Sequence, residues 1–209
     1  CGALHAHNGE LDGARRLARD TSERLDRLEG SDGEPLEVVV NSAGCGAHMR
    51  EYGRLLKDDP AWAERARAFG ARVRDFSEAV AARSSGGLGW TARDLPGPVA
   101  WDDPCHLCHG QQIRAQPRAV LDGLRGLERV ELAGSESCCG SAGIYSVLRP
   151  ADSAAVLAPK LAALERSGAR VLVTANPGCQ MQWESGLRRA GSGVRVVHLA
   201  ELLARAEPG

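Results

Sequence analysis

The feature that most constrains this chain is a pair of adjacent cysteines in the stretch Ser137-Cys138-Cys139-Gly140-Ser141. Neighbouring cysteines do not easily form a disulfide with each other, because the peptide that joins them would have to distort to reach disulfide geometry. Two adjacent thiolates are better suited to binding a metal ion or an iron–sulfur cluster. Gly140 removes a side chain where the backbone must turn tightly or approach another group closely. The pair therefore predicts a metal-binding or redox turn.

Five of the seven cysteines lie in the second half of the chain, each beside a turn signal. Cys105 and Cys108 precede the pair, and Cys179 follows it. An odd number of cysteines fits poorly with complete disulfide pairing, and clustered cysteines in a cytoplasmic protein usually bind metals or take part in redox reactions. Four thiolates from three loops are enough for a [4Fe–4S] cluster or for tetrahedral zinc. The candidate ligands are Cys105, Cys138, Cys139 and Cys179.

Size and charge narrow the functional classes. The 209 residues suit one domain or two small ones, and a formal net charge of −1 argues against nucleic-acid binding through bulk charge. No apolar run approaches the roughly 20 residues that span a bilayer, and no signal peptide is evident. We therefore expect a cytoplasmic protein without a membrane span. Because the sequence starts at Cys1 without a methionine, we also expect it to be part of a longer chain.

Short apolar runs alternate with helical patterns along the chain, which predicts α/β layers with parallel strand pairing. The Gly-, Ser- and Pro-rich segment 84–97 is predicted to link a first half, 1–83, to a second half, 98–209. The predicted strands are 36–40, 98–101, 130–132, 170–174 and 194–197. The predicted helices are 11–28, 47–56, 59–82, 117–124, 151–165, a segment ending near 189, and a last helix from 199.

The two halves share a pattern. Residues 38–45 align with residues 172–179, and each segment has the pattern strand, small-residue turn, Gly-Cys and helix. Upstream, Cys1-Gly2 aligns with Cys139-Gly140, so that the cysteine separations are 44 and 40 positions. Two βα units can look alike without common origin, but matching cysteines at both ends favour duplication. We predict two similar βα-repeat halves with short parallel sheets and cysteine-bearing loops at the strand ends.

The cysteines precede helical segments, whose free N–H groups and positive dipole ends stabilise thiolates and anionic clusters. Cys108 is a candidate fifth ligand, a redox thiol or a packed residue, and His106 and His109 beside it could replace a cysteine. The glycine-rich segment 86–89 lacks the strand and helix that a phosphate loop needs. No Ser-His-Asp set or catalytic carboxylate pair is evident, so the sequence favours an electron carrier with no catalytic residue of its own.

Taken together, several motifs resemble the cysteine-rich CCG domain, which occurs in heterodisulfide reductases and in iron–sulfur subunits that serve glycolate and lactate oxidation. Among these, the chain looks most like the C-terminal part of the glycolate oxidase (glycolate dehydrogenase) iron–sulfur subunit, over nearly its whole length. The motifs are Cys1-Gly2-Ala3-Leu4-His5, Ser42-Ala43-Gly44-Cys45-Gly46, Glu51-Tyr52-Gly53, Cys138-Cys139-Gly140-Ser141-Ala142-Gly143 and Thr174-Ala175-Asn176-Pro177-Gly178-Cys179-Gln180.

This resemblance implies a non-flavin, electron-carrying subunit of a glycolate or other 2-hydroxy-acid oxidoreductase. It implies a flavin-bearing (FAD) partner subunit, further complex subunits, an upstream ferredoxin-like segment, and a location in the cytoplasm or at the inner face of the cell membrane. It also implies a [4Fe–4S] cluster in the second half and an incomplete site in the first half. The ligands so implied are Cys105, Cys138, Cys139 and Cys179 for the cluster, and Cys1 and Cys45 for the incomplete site.

The chain departs from the heterodisulfide reductase pattern at one point. There a motif can end in Cys-x-x-Cys, but here Ser42 and Asn176 occupy the first position of that pair. Five-cysteine ligation and disulfide-reducing chemistry are therefore less favoured. Two more functions are compatible with the same cysteines: an iron–sulfur subunit for lactate or glycerol-3-phosphate oxidation, and a zinc-stabilised binding module.

Overall fold

The computed structural model describes residues 1–31, 33–84 and 89–208 of the chain. These residues form two compact units, Cys1–Asp75 and Phe76–Gly209. Both units combine helices with short parallel sheets, so the predicted α/β class and βα repeats are confirmed. No helix in the described part of the chain is long and apolar enough to cross a membrane.

The first unit packs helices around a two-stranded parallel sheet, in which Val38 pairs with Val73 and Val40 with Asp75. Tyr52 and Phe69 stack at the centre of its core with ring centroids 5.4 Å apart. Its elements are α1 (Ala3–His7), α2 (Leu11–Leu25), β1 (Val38–Val40), α3 (Ala43–Arg50), α4 (Tyr52–Leu55), α5 (Ala63–Ala71) and β2 (Val73–Asp75).

The buried face of α2 consists of small residues. Ala14, Ala18 and Ser22 follow one another at intervals of four and are fully buried, whereas Leu11 and Leu28 are exposed. Small side chains let α2 lie close against its neighbours, because no bulky group separates the backbones. The predicted helix 11–28 is therefore confirmed, although it ends at Leu25 and its fully buried positions are small residues.

The predicted helix 59–82 is wrong in its middle. The structure divides it into α5, the strand β2 and a further helix that begins at Phe76. Val73 is fully buried beside Val38, so pairing with β1 overrides the helical pattern of the surrounding alanines and arginines. The predicted helix 47–56 likewise begins earlier, at Ala43, and breaks between Arg50 and Tyr52.

The second unit contains a larger sheet of four parallel strands. Its elements are α6 (Phe76–Arg83), β3 (Trp90–Thr91), β4 (Val99–Trp101), a π-helix (His106–Gly110), α7 (Ala115–Asp122), β5 (Arg129–Val130), α8 (Tyr145–Leu148), α9 (Pro150–Ser167), β6 (Val171–Thr174), α10 (Pro177–Arg189), β7 (Arg195–His198), α11 (Leu199–Ala204) and β8 (Glu207–Pro208). The strand order in this sheet is β5-β4-β6-β7.

Strands β4 and β6 lie at the centre of this sheet, and all their residues are buried. Continuous burial is typical of parallel strands that are covered on both faces. Because the carboxyl ends of parallel strands meet at one edge of a sheet, the loops that follow β4, β5 and β6 converge there. These are the loops that carry Cys105, Cys138, Cys139 and Cys179.

The segment 84–97, predicted as a linker, contains β3, which pairs antiparallel with β8 near the end of the chain. Residues 85–88 of this segment, including most of the glycine-rich stretch, lie outside the described residues. The pairing of β3 with β8 was not predicted, because two-residue strands leave no periodic pattern in a sequence.

Candidate metal centre

Cys139 and Cys179 form a close, buried thiol pair. Their Sγ atoms lie 3.1 Å apart, and the two residues are 3 % and 4 % exposed. Cys139 lies in the turn before α8, and Cys179 is the third residue of α10, after the small-residue turn that ends β6. The hydrogen bond between the thiols lowers the pKa of Cys139 and raises that of Cys179. The pair therefore holds one proton tightly and releases the other easily.

Cys105 and Cys138 form a second pair, nearer to solvent. Their side chains are hydrogen-bonded to each other, and Cys138 is exposed whereas Cys105 is half-buried. The hydrogen bond from Cys138 lowers the pKa of Cys105 to about 7, and the same bond raises the pKa of Cys138. A thiol with this pKa is largely deprotonated at slightly alkaline pH, which is the state that binds metals.

Backbone and side-chain N–H groups point at these sulfur atoms. The Gly140 N–H donates to Cys138 Sγ at 3.3 Å, and Asn176 Nδ2 donates to Cys179 Sγ at 3.4 Å. A backbone hydrogen bond at Ser141 also lowers the pKa of Cys139. Hydrogen bonds to sulfur stabilise the thiolate form and tune the potential of any iron–sulfur cluster bound there. The donor set therefore fits such a cluster.

The turn at Gly140 has a shape that other residues cannot adopt without strain. Gly140 has a φ of +84°, and a Cβ atom there would lie 2.5 Å from the carbonyl oxygen of Ser153. Ser153 Oγ donates to the Gly140 carbonyl at 2.8 Å, and Gln182 Nε2 donates to Ser153 Oγ at 2.8 Å. These contacts fix the turn against α9 and α10, so both cysteines are held in defined places.

Asp103 anchors the loop that carries Cys105. Its carboxylate accepts hydrogen bonds from Arg118 (Nη2 at 2.6 Å), Trp101 Nε1 (2.7 Å) and Ser135 Oγ (2.7 Å). Burial opposes ionisation of Asp103, but these hydrogen bonds outweigh it and lower its pKa. The bond to Ser135 also ties the Cys105 loop to the segment that leads into the Cys138 turn.

Asp102 and Lys160 form a fully buried ion pair beneath the same loops. Lys160 Nζ lies 2.5 Å from Asp102 Oδ1 and donates to the carbonyl oxygens of Ser135 and Ser137, both at 2.7 Å. Thr174 Oγ1 donates to Asp102 Oδ2 at 3.0 Å. Burial raises the pKa of Asp102, and the charge of Lys160 opposes that effect. The pair therefore joins the ends of β4 and β6 to the paired-cysteine turn.

The π-helix that follows Cys105 places the Cys108 side chain against backbone carbonyl oxygens. Cys108 is fully buried, and its Sγ lies 3.9 to 4.0 Å from the backbone carbonyl oxygens of Asp103, Cys105 and Glu136. Burial raises the pKa of the Cys108 thiol. His109, another candidate ligand, lies 3.1 Å from the Glu136 carbonyl oxygen through Nε2.

The first unit repeats the geometry of the buried pair. The Sγ atoms of Cys1 and Cys45 lie 3.0 Å apart, and Cys45 is the third residue of α3, as Cys179 is of α10. Gly2 has a φ of +87°, and a Cβ atom there would lie 3.1 Å from the carbonyl oxygen of Ala14 in α2. The matching cysteines and left-handed glycines confirm the predicted repeat in three dimensions.

Tyr52 holds the backbone of Cys1 in the first unit. Tyr52 Oη donates to the Cys1 carbonyl oxygen at 2.7 Å, and burial raises the pKa of Tyr52 to about 12. Burial also lowers the pKa of His48, which touches Tyr52 edge-on, to about 4. Both side chains are therefore neutral at physiological pH, and the thiol pair of this unit has uncharged neighbours on this side.

We expect Tyr52 to resist ionisation. The chain has two tyrosines, so in Tyr145→Phe the ionisation of Tyr52 alone produces the tyrosinate rise in absorbance at 295 nm, above a constant contribution from the tryptophans. At pH 10.5 a free tyrosine is about three-quarters ionised, but Tyr52 should be almost fully protonated. Because its pKa is raised in the folded state, its contribution to stability is present below pH ~10 and is lost as the pH rises towards 12. A large rise in absorbance at 295 nm between neutral pH and pH 10.5, with an unchanged circular dichroism spectrum, would contradict this assignment.

The structure thus brings the predicted site residues together as pairs. Across residues 1–31, 33–84 and 89–208, no group of three or more His, Cys, Asp or Glu side chains has the arrangement of a single-ion site. Sequence reasoning missed the residues that support the cysteines, above all Asp102, Arg118 and Lys160. A lysine among the apolar positions of α9 was a usable signal, because lysine is almost never fully buried without a partner.

Comparison with known proteins gives the same classification as the motifs. The CCG cysteine-rich domain family matches residues 99–184. The chain is 40 % identical to the probable glycolate oxidase iron-sulfur subunit of Bacillus subtilis (strain 168) over 208 residues, which cover 99 % of this chain and 46 % of that protein. It therefore spans about half the length of that relative.

Two relatives are covered more completely. The chain is 30 % identical to lactate utilization protein A of Lysinibacillus sphaericus (strain C3-41), over 79 % of this chain and 72 % of that protein. It is 31 % identical to lactate utilization protein A of Bacillus subtilis (strain 168), over 79 % and 69 % of the two proteins. The predicted resemblance is thus confirmed, and the chain belongs to the family of cysteine-rich CCG-domain proteins that includes the glycolate oxidase iron–sulfur subunit and lactate utilization protein A.

Proposed function

We propose that the chain is the iron–sulfur, electron-carrying part of a complex that oxidises glycolate or a related 2-hydroxy acid. The names of its relatives support an iron–sulfur subunit. The observation that carries the proposal is the pairing of four thiols at one edge of the second unit's sheet: Cys139 with Cys179, and Cys105 with Cys138. In this proposal the two pairs together provide the four sulfur ligands that a [4Fe–4S] cluster needs.

In this proposal Cys105, Cys138, Cys139 and Cys179 hold the cluster, and Cys1 and Cys45 form the corresponding incomplete site of the first unit. A bound cluster supplies one-electron redox chemistry. The N–H groups of Gly140 and Asn176 stabilise the thiolates. Burial of Cys139 and Cys179 keeps water away from one side, whereas exposed Cys138 gives a short path to a redox partner.

The proposal extends to the partners and the place of action. Electrons arrive from a flavin-bearing (FAD) subunit that removes the hydride from the substrate, and they leave towards a downstream acceptor. A ferredoxin-like segment of the same protein and further complex subunits complete the path. The complex acts at the inner face of the cell membrane or in the cytoplasm. We also propose that residues 1–83 form a first, incomplete CCG-type half and that residues 98–209 form a second, complete one.

Lactate is the second candidate substrate of the complex. It is favoured by the lactate utilization relatives, of which the chain covers 72 % and 69 %. Glycolate and lactate are both 2-hydroxy acids, so the electron-carrying site would be the same in both cases. The flavin subunit, which contacts the substrate, would set the choice between them.

The test is anaerobic purification followed by iron, sulfide and zinc analysis, with EPR spectra before and after dithionite. We expect about four irons and four sulfides per chain and a spectrum that changes on reduction. These results would establish an electron carrier. Stoichiometric zinc without iron in freshly made anaerobic protein would overturn the proposal and leave a structural metal module.

A further inference from the structure

Lys160 is a buried cation beneath the paired-cysteine turn. The chain has two lysines, and this one lies on α9 with 3 % of its surface exposed, whereas Lys57 is exposed in the first unit. Removing an ammonium group from water is costly unless good partners compensate it. An apolar residue at such a position is often as stable as a buried ion pair. Stability alone therefore does not account for a lysine at this place.

The partners of Lys160 show what its ammonium group holds. An ammonium group has three N–H donors, and here the three acceptors are Asp102 Oδ1 and the carbonyl oxygens of Ser135 and Ser137. Ser135 and Ser137 lead directly into Cys138. One N–H of the lysine therefore bonds to the side chain of Asp102, directly after β4, and the other two bond to the backbone that leads into the paired-cysteine turn.

Asp102 extends this connection to the remaining cysteine-bearing loops. Its second carboxylate oxygen accepts from Thr174, the last residue of β6, and Cys179 follows that strand. Asp102 itself lies three residues before Cys105, in the loop that follows β4. The pair thus contacts all three segments from which the four candidate ligands project, although it contacts none of the thiols directly among the hydrogen bonds described.

The two charges of the pair are buried beside the cysteine-bearing loops. Lys160 Nζ donates to the carbonyl oxygens of Ser135 and Ser137, just before Cys138, and Asp102 accepts from Thr174 at the end of β6. Because water screens buried charges much less than exposed ones, both charges contribute to the electrostatic potential at these loops.

We propose that Lys160 is a positioning residue, which holds the Cys138–Cys139 turn in its ligand-binding shape and, together with Asp102, sets the electrostatic potential at the cysteine site. The positioning part stands on hydrogen bonds alone. The electrostatic part rests on the proposed iron–sulfur function. The two parts are therefore tested by separate measurements.

Positioning is tested in metal-free, reduced protein by hydrogen–deuterium exchange with mass spectrometry. The amide hydrogens of Ser135, Ser137 and Gly140 are bonded to Leu132, Gly134 and Cys138, so they should exchange slowly in the unaltered chain. In Lys160→Met we expect exchange in segment 134–141 to be about tenfold faster, with exchange of β4 and β6 unchanged. The matched control, Lys57→Met, should leave both segments unchanged.

Two results would overturn the positioning part. One is unchanged exchange in segment 134–141. The other is equal acceleration in the turn and the strands, which would show that Lys160 only stabilises the unit as a whole. If Lys160→Met does not fold, Lys160→Gln keeps two N–H donors without the charge and is measured instead. Because no metal is present, this test gives an answer even if the protein binds no iron.

The electrostatic part is tested by the midpoint potential of iron-loaded protein. Asp102→Asn removes a negative charge while Lys160 keeps its carbonyl acceptors, and it should raise the potential by about 59 mV, a tenfold change in the one-electron equilibrium. In Lys160→Met the buried Asp102 loses the charge that opposes the rise in its pKa and takes up a proton, so both charges are lost together and the potential should change much less. No rise in Asp102→Asn, or an equal rise in Lys160→Met, would overturn this part. Failure of the unaltered chain to bind iron would instead refute the proposed function.

Discussion

Replacing Cys139 by serine is expected to reduce the iron content of anaerobically purified protein to below about one-tenth of its original value. Cys139 is buried against Cys179, with the two Sγ atoms 3.1 Å apart. Serine cannot take the place of a thiolate at this position, because its hydroxyl does not deprotonate near neutral pH and binds iron poorly. Iron and sulfide analysis and the EPR signal after dithionite reduction measure the loss.

Cys108→Ser is the matched control for this experiment. Cys108 is also buried in the second unit, but its sulfur lies against backbone carbonyl oxygens rather than against another thiol. We expect this variant to keep its iron. If Cys139→Ser kept its cluster and Cys108→Ser lost it, the assignment of ligands would be wrong, and the π-helix would have to carry part of the site.

The second large effect is expected from Gly140→Ala, which should lower the free energy of unfolding of the second unit by about 3 kcal/mol. Two costs add together. A left-handed φ of +84° is unfavourable for alanine, and the added methyl group would lie 2.5 Å from the Ser153 carbonyl oxygen on α9. Backbone atoms cannot move aside as easily as the end of a side chain. Urea unfolding of the metal-free chain measures the change.

Gly168→Ala separates the two costs. Gly168 ends the same helix α9 with a φ of +71°, but among the described residues no atom beyond its own chain neighbours lies within 4 Å of the position of a Cβ atom. Alanine at this position therefore has the unfavourable backbone conformation without a steric clash. We expect the free energy of unfolding to fall by only about 1 kcal/mol. Equal losses in the two variants would mean that the contact between the turn and α9 does not limit the shape of the cysteine site.

The strands that form the main sheet could be predicted because their apolar runs are continuous. Buried parallel strands such as β4 and β6 stand out between turns, and the predicted boundaries differ from the observed ones by a residue or two. The strand β2 could not be predicted in this way. It has three residues between two helices, and its pairing with β1 depends on contacts that no local pattern contains.

The cysteines of the site could be predicted from their spacing and from the repeat, whereas their supporting residues could not. Thiols near turns carry a chemical signal that does not depend on the fold. An aspartate is common on any surface, so Asp102 becomes informative only when the fold shows that it is buried. Lys160 stands out among the apolar positions of α9, but its partner Asp102 is 58 positions away and is brought beside it only by the fold. The hydrogen bond from Asn176 to Cys179 could not be predicted either. In the sequence, Asn176 is notable only because it stands where a related motif can have a cysteine.

The closed thiol pair within each unit has a consequence for how the two sites can be altered. Cys1 meets Cys45, and Cys139 meets Cys179, so each pair is completed by residues of its own unit. A substitution in one pair therefore removes no thiol partner from the other, and the two pairs can be varied one at a time.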